Sequence, residues 1–347
     1  MGKPLKSILK AFPIVFILSM GAQFIASSSE MKNLGLETVL FSLLIGLLIS
    51  NVFKVPGWLK SGIQSEFYIK IGLVMLGASV LFSEIMKAGF FGLIQAIIVV
   101  VSVWYFSYWI AKKMKIDEEL SIMMASAVSI CGVSAAIATA GAIKGDSKKL
   151  SYVVSLVLIV AIPMMIFMPL IARWLGLSDE VTGAWLGGTI DTTGAVVASG
   201  TIAGDIALKF STIIKFSQNI LLGVAALFIS IFWTYKQVQK NQEVEKPSLK
   251  IIWERFPKFV LGFIIVSLVF SFIISPETAD LTGKTIKSYQ SLWFNLAFIC
   301  IGLETRFKDI IEMDRGRPLF VFITAQLFNV LITLAVAYML FQVFWVG

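Results

Sequence analysis

The sequence predicts an all-α polytopic membrane protein with about 9–11 transmembrane segments, set out as inverted repeats with two discontinuous helices, re-entrant or broken. Three observations carry that prediction. Of 347 residues, 58% are hydrophobic and 14% charged, where a soluble domain carries about 25% charged residues; mean hydropathy is +0.89. Apolar runs near the roughly 20 residues that cross a bilayer recur from one end to the other. Two of these runs, Ser129 to Ala136 and Gly187 to Gly200, are broken by glycines and polar side chains.

The apolar segments fall at 8–26, 36–53, 66–83, 88–111, 120–144, 148–175, 182–203, 209–235, 251–275, 290–306 and 317–345. No stretch between them is polar and long enough for a separate soluble domain, so residues 1–347 read as a single transmembrane domain. Its repeat-related halves run roughly 1–176 and 177–347. The polar connection 236–250, with Lys-Asn-Gln-Glu-Val-Glu-Lys-Pro, reads as a cytoplasmic loop between them. Lys3, Lys6 and the run Ile8 to Ile25 imitate a secretory signal. The length of the run, with Pro13 and Gln23 inside it, favours a retained first span.

The net charge of +8 sits in short loops, where Lys and Arg set orientation and meet anionic headgroups. The lipid bilayer is therefore the expected partner, and nucleic acid is not. With Lys3, Lys6 and Lys10 inside, the loops holding Lys54 and Lys60, Lys112 to Lys115, Lys236 to Lys258 and Arg306 to Arg317 also belong inside. Ser27 to Gly35 and a turn at Glu84 to Lys87 then lie outside. This describes a multi-pass bacterial inner-membrane protein with a cytoplasmic N-terminus. One loop disagrees: Lys144-Gly-Asp-Ser-Lys-Lys149 falls outside if every segment crosses. Two re-entrant hairpins, 120–144 and 182–203, opening on opposite sides, restore it to the inside. Two broken helices that cross fully, with one exception to the charge rule, are the alternative.

An internal similarity supports inversion. Ala136-Ile-Ala-Thr-Ala-Gly-Ala-Ile-Lys-Gly-Asp146 resembles Ala195-Val-Val-Ala-Ser-Gly-Thr-Ile-Ala-Gly-Asp205 without a gap. A weaker similarity links residues 72–85 with 297–310.

The polar breaks hold the candidate chemistry. Irregular backbone at membrane depth is tolerated where it lines a protected cavity. In Ser129-Ile-Cys-Gly-Val-Ser134, Gly132 frees the backbone, Ser129 and Ser134 supply hydroxyls, and Cys131 lies between them. A helix restarting near Val133 would aim free N–H groups, with their partial positive charge, into the interior. That is an anion site without a charged side chain; small-residue helix packing is the plainer reading. Gly187-Gly188-Thr189-Ile190-Asp191-Thr192-Thr193-Gly194 is a poor membrane helix unless it lines something wet. Asp191 is a candidate to bind a cation, carry a proton or pair with a lysine; a structural cap or buried ion pair is the bland alternative. Lys215 is the natural partner, with Gln218 and Asn219 at i+3 and i+4 on the same face, unless it snorkels to an interface. Glu304 reads as a cytoplasmic-edge ion pair with Arg306 or Lys308. Gln95, Asn295, Gln326 and Asn329 read as interhelical hydrogen bonds.

Histidine is absent, and Cys131 and Cys300 both sit in apolar runs. No metal-ligand spacing, Walker loop or Ser/His pairing is present. The chain therefore reads as a non-enzyme without catalytic residues, cofactor or resident metal. Any uphill transport would draw on an ion gradient, with Na+ or H+ as the coupling ion.

At the two breaks the chain resembles the YeiH family of bacterial membrane proteins, described as sulfate exporters. Ser129-Ile-Cys-Gly-Val-Ser134 resembles that family's Ser-Ile-Cys-Gly core motif. Gly188-Thr-Ile-Asp-Thr-Thr-Gly-Ala-Val-Val-Ala-Ser-Gly200 resembles its second motif, Lys215 falls where the family places a lysine, and Gly302-Leu-Glu-Thr305 resembles its C-terminal stretch. The resemblance implies kinship with the cation/proton antiporter and anion transporter group, whose discontinuous helices meet at midmembrane. That group often moves one bundle against a dimeric scaffold, hence an expected homodimer. The family's His-Asp/Glu pair is replaced here by Asp191-Thr192, so a carboxylate facing a dianion needs a proton or a bound cation.

Three readings follow. The first is a secondary transporter exporting a small anion such as sulfate or an organosulfonate. In it Ser129, Cys131, Gly132, Ser134, Gly188, Thr189, Thr192, Thr193, Lys215, Gln218 and Asn219 form the substrate site, and Asp191 handles the coupling ion. The second is a sodium/proton-type cation antiporter using Asp191, and the third a membrane scaffold or receptor without flux.

Overall fold

The computed structural model describes residues 2–26, 38–53, 55–60, 62–238, 253, 256–304 and 316–345. Most of the 236–250 connection, the Ser27 to Gly35 loop and residues 305–315 lie outside them. The described residues are helical with no strand, as bilayer solvation demands of a chain that does not close a barrel. Among the described residues five helices are long and apolar enough to cross a membrane: Ser7–Ala26, Phe82–Lys113, Lys148–Trp174, Asp205–Tyr235 and Arg317–Val343. Shorter apolar helices accompany them. The protein is a polytopic membrane protein.

Two compact units interleave along the chain, Met1–Ile85 with Lys258–Met313, and Met86–Pro257 with Asp314–Gly347. The first holds α1 (Gly2–Ala26), α2 (Thr38–Val52), the single turn α3 (Gly57–Lys60) and α4 (Ser65–Leu76), which runs on into a 3-10 turn at Gly77–Ser79. It also holds α12 (Phe259–Leu268) with a π turn at Val269–Ile273, and α13 (Pro276–Glu304). Gly46 of α2 and Gly302 of α13 let two backbones touch. A Cβ on Gly46 would lie 2.5 Å from the Ile299 carbonyl oxygen, and one on Gly302 would lie 2.5 Å from that of Leu43. Ser50 closes the same seam by donating to the Gly302 carbonyl at 2.9 Å. Tyr68 stacks on Trp293 at 5.9 Å.

A turn expected at Glu84 to Lys87 lies instead inside a helix, α5 (Phe82–Lys113). The chain breaks earlier, at Val80 and Leu81. There Ser267 donates to the Val80 carbonyl at 2.6 Å and the Phe82 N–H donates to Ser271 Oγ at 2.9 Å. With those two backbone groups satisfied, Glu84 is free to sit in the first turn of α5, where the helix dipole favours a carboxylate. The segment expected to begin at 290 is likewise part of a longer helix. The stretch 276–289 continues α13 upstream, and its polar residues hide it from a hydropathy reading.

The second unit contains most of α5, then α6 (Glu118–Ser126), a π turn at Ala127–Cys131, α7 (Val133–Ile143) and α8 (Ser147–Trp174). Next come α9 (Asp179–Thr189), α10 (Thr193–Ala203) and α11 (Asp205–Val238), and near the C-terminus α14 (Arg317–Tyr338) with a π turn at Met339–Val343. Side-chain caps start the helices where the sequence supplies them. Asp117 accepts from Leu120 N–H, Asp146 from Lys148 and Lys149, and Ser178 from Val181.

Both polar segments are re-entrant. Lys149, just past α7, reaches Asp117 and Glu119, just before and at the start of α6, at 2.6 and 3.0 Å. A fully crossing broken helix of this length would hold those ends about 30 Å apart, so α6 and α7 double back. In the second segment Gly183 and Gly187 of α9 back onto Ala207 and Ser211 of α11, so α9 and α11 run in the same direction. Thr193 and Gly200 of α10 meet Asn219 and Ser211, so α10 returns. The same helix fixes the relative sense of the hairpins. The mouth of the α9–α10 hairpin lies beside residues 207–211 of α11. Leu222 and Ala226 pack on Ala135 and Ala138 of α7, and Phe232 meets Tyr108, whose hydroxyl bonds Glu118 at the mouth of the α6–α7 hairpin. The hairpins enter from opposite ends of α11 and meet at their tips. The matched Gly-Asp pairs, 145–146 and 204–205, each follow the returning helix and open a long one.

Candidate functional site

The site is where the tips meet. Gly132 sits at φ +60°, a conformation that costs a residue with a Cβ. A Cβ there would lie 3.1 Å from Asp191 Cβ and 3.3 Å from Thr192 Cγ2, so the breaks are in direct contact. The π turn before Gly132 and the C-terminal end of α9 leave backbone carbonyls without helical partners. Side chains from neighbouring helices take them up. Lys215 donates to Ile130 O at 3.0 Å, and Gln218 donates to Gly188 O at 2.9 Å and Ser129 O at 3.4 Å. Asn329 bridges Val128 O and Thr189 O at 3.1 and 3.2 Å, and Gln326 reaches Thr189 O at 3.0 Å. Gln95 holds α9 further back, at Ala184 O, 2.8 Å. At the tips these bonds pair buried carbonyls that would each cost about 1–3 kcal/mol if left without a donor.

Asp191 is 1% exposed and Lys215 1% exposed. Neither Asp191 carboxylate oxygen accepts a hydrogen bond. Lys215 is its oppositely charged neighbour and the Gln326 amide its polar one, but the ammonium spends its bonds on Ile130 O and on Gln218 Oε1 at 2.9 Å. Lys215 is thus a clamp on the first hairpin as well as the charge nearest Asp191. It does not snorkel.

Burial divides the remaining candidates. Ser129, Cys131, Gly132, Gly188, Thr189, Gln218 and Asn219 are buried, whereas Thr192, Thr193 and Gly194 are half-buried and Ser134 is exposed. The accessible part of the site is therefore the first turns of α7 and α10. Thr192 caps α10 through the Ala195 N–H at 3.3 Å. No side chain caps α7, whose N-cap is Gly132. Its first N–H groups carry the partial positive charge of a helix start into an open position. Asn219 ties α11 to α10 through Thr193 Oγ1 at 3.3 Å.

Residues 10–322 match the family model described as conserved hypothetical protein 698. The chain belongs to that family. A UPF0324 membrane protein of Rhodopirellula baltica is 40% identical over 351 residues, covering 99% of this chain and 64% of the relative. One from Nitratidesulfovibrio vulgaris is 36% identical, covering 99% and 61%, and one from Nitrosomonas europaea is 29% identical, covering 87% and 70%. The chain spans about three-fifths of the length of the first two. No solved structure matches. The YeiH-type resemblance at the two breaks is borne out by this family membership.

Sequence reasoning placed Gln95, Gln326 and Asn329 as interhelical bonds but not at the site. Their acceptors turn out to be hairpin carbonyls. The signal that could have found them is the spacing of Gln326, Asn329 and Thr333 at i, i+3 and i+7, one polar stripe on an otherwise apolar helix. Glu304 is met by Ser65 Oγ at 2.9 Å; Arg306 and Lys308 lie outside the described residues.

Proposed function

We propose that this membrane protein is a secondary transporter that exports a small oxyanion, with sulfate and organosulfonates as the leading class, and that Asp191 handles the coupling ion. The observation that carries the reading is the tip-to-tip meeting of two re-entrant hairpins that enter from opposite ends of α11. Such a meeting point is reachable from either side of a bilayer by small shifts of one hairpin, which alternating access requires. Two helix starts contribute about +0.5 charge each, beside one buried lysine and one buried carboxylate. The two helix starts face the open rim, while the α9 end puts its partial negative charge on the buried side, so the rim suits an anion held by N–H groups of α7 and by Ser134, Thr192 and Thr193.

Transport rather than catalysis fits a site whose polar side chains mostly hold backbone. Loop charges support placement in a bacterial inner membrane with the N-terminus in the cytoplasm, and a homodimer would give a fixed frame for the moving unit. A cation antiporter is the second reading, favoured by the unbonded Asp191 carboxylate. Proteoliposomes loaded with labelled sulfate, sulfite or taurine decide. Efflux above empty vesicles that Lys215→Gln lowers at least tenfold is the expected result. Absence of flux for every oxyanion across pH would sink the substrate claim, and cation exchange surviving in its place would install the second reading.

A further inference from the structure

Six buried oxygen atoms around the hairpin tips have no hydrogen-bond partner: both oxygens of Asp191, Ser129 Oγ, Thr189 Oγ1, Asn219 Oδ1 and Gln326 Oε1. Their residues are 0 to 6% exposed. Short bonds tie them to the same place. Gln326 Nε2 rests on Thr189 O and Asn219 Nδ2 on Thr193 Oγ1, two positions either side of Asp191, while Gln218 Nε2 spans Ser129 O and Gly188 O. The two free amides have spent their nitrogens and kept their oxygens. What is left over is mostly lone pairs, with two hydroxyl hydrogens beside them, in a region where leaving them unmatched is costly.

The chemistry that satisfies many oxygens at once is a hard cation. A proton on Asp191 would answer one of the six, and a water brings two hydrogens. The single carboxylate limits the charge, since a divalent ion in so dry a place would lack compensation. The local dipoles agree: α9 ends at Thr189, and its C-terminus adds partial negative charge to the buried floor. Among the described residues the buried cation is Lys215, and it is committed to Ile130 O and Gln218 Oε1.

We propose that Asp191, Thr189, Ser129, Asn219 and Gln326 form a dehydrated site for a monovalent cation of sodium size. The site lies beneath the positive rim formed by the starts of α7 and α10. The proposal rests on the transporter reading and deepens it. The cation neutralises the carboxylate that would otherwise repel an incoming oxyanion, so the two ions enter the site together.

Full-length protein in detergent tests this with labelled sodium retention and with melting curves in NaCl against choline chloride at equal ionic strength. The expected result is saturable retention and a melting temperature that rises with Na+ alone, both abolished by Asp191→Asn. Thr189→Val and Ser129→Ala should each shift the half-saturating concentration upward roughly tenfold. Equal melting in the two salts with no saturable retention overturns the site, as does an Asp191→Asn protein that still retains sodium. Should Asp191→Asn fail to fold, an unshifted sodium curve for Thr189→Val overturns it instead. Oxyanion efflux that proceeds identically in choline removes the cation site and leaves the transport reading standing. Sodium retention without any oxyanion flux does the reverse.

Discussion

Gly132 backs directly onto Asp191: a Cβ on the glycine would stand 3.1 Å from the Cβ of the aspartate, although the two are 59 positions apart in the chain. The polar side chains Lys215, Gln218 and Asn329 bond the backbone on either side of that contact. It joins the tip of one re-entrant hairpin to the tip of the other, and it does so with backbone too close for a side chain. Gly132→Ala therefore combines strain at φ +60° with a contact 2.8 Å from Val157 Cγ1. A loss of about 2–4 kcal/mol is expected, read as a lower melting temperature and abolished flux. A variant that melts like the parent would show that the tips are not held at this distance.

Asn329 should behave as a structural clamp. Its amide bridges one carbonyl from each hairpin, Val128 O and Thr189 O. Asn329→Leu keeps the volume, strips Val128 O of its side-chain donor and leaves Thr189 O to Gln326 alone, at about 1–3 kcal/mol for the orphaned acceptor. Hydrogen exchange should quicken in both tips together. Quickening in only one tip would contradict the bridge.

Much of this was legible beforehand, and the reason is chemical. Gly132, Asp191 and Lys215 stand out in sequence because glycine and charge are rare in an apolar run. The loop charge at Lys144 to Lys149 was informative because Lys149 ends up beside Asp117 and Glu119. The amide clamps were harder to read, since Gln and Asn inside a span look alike whether they bind a neighbouring side chain or a broken backbone. The displaced break near Val80 was invisible for a similar reason. It depends on Ser267 and Ser271, almost 190 positions away, and no local pattern encodes that.

Gly46 and Gly302 give a test confined to the other compact unit. Gly46→Ala would press a methyl to 2.5 Å from a carbonyl oxygen that belongs to backbone and has nowhere to move. About 2–3 kcal/mol of destabilisation is expected. Gly21→Ala in α1 meets nothing within 4 Å and should be neutral or slightly stabilising. Thermal melts of the two variants, side by side, check both signs.

The mouth of the α6–α7 hairpin should respond to acid. Burial alone would raise the Asp117 carboxyl, but the Lys149 ammonium, with the N–H groups of Leu120 and Glu119, outweighs it and holds the group below its ordinary 3.8. Backbone N–H groups of Lys149 and Lys148 hold Asp146 below the same value. A carboxyl lowered in the folded state stabilises above its unfolded pKa, and that contribution fades as pH falls through the folded value. The melting temperature should therefore slope downward from about pH 4. Asp117→Asn should flatten part of that slope while costing at most about 1 kcal/mol at neutral pH, because the pair with Lys149 is half exposed. Added salt should shrink the difference further. An acid slope identical in the parent and in Asp117→Asn would mean that the two ends of the hairpin are not joined by this pair.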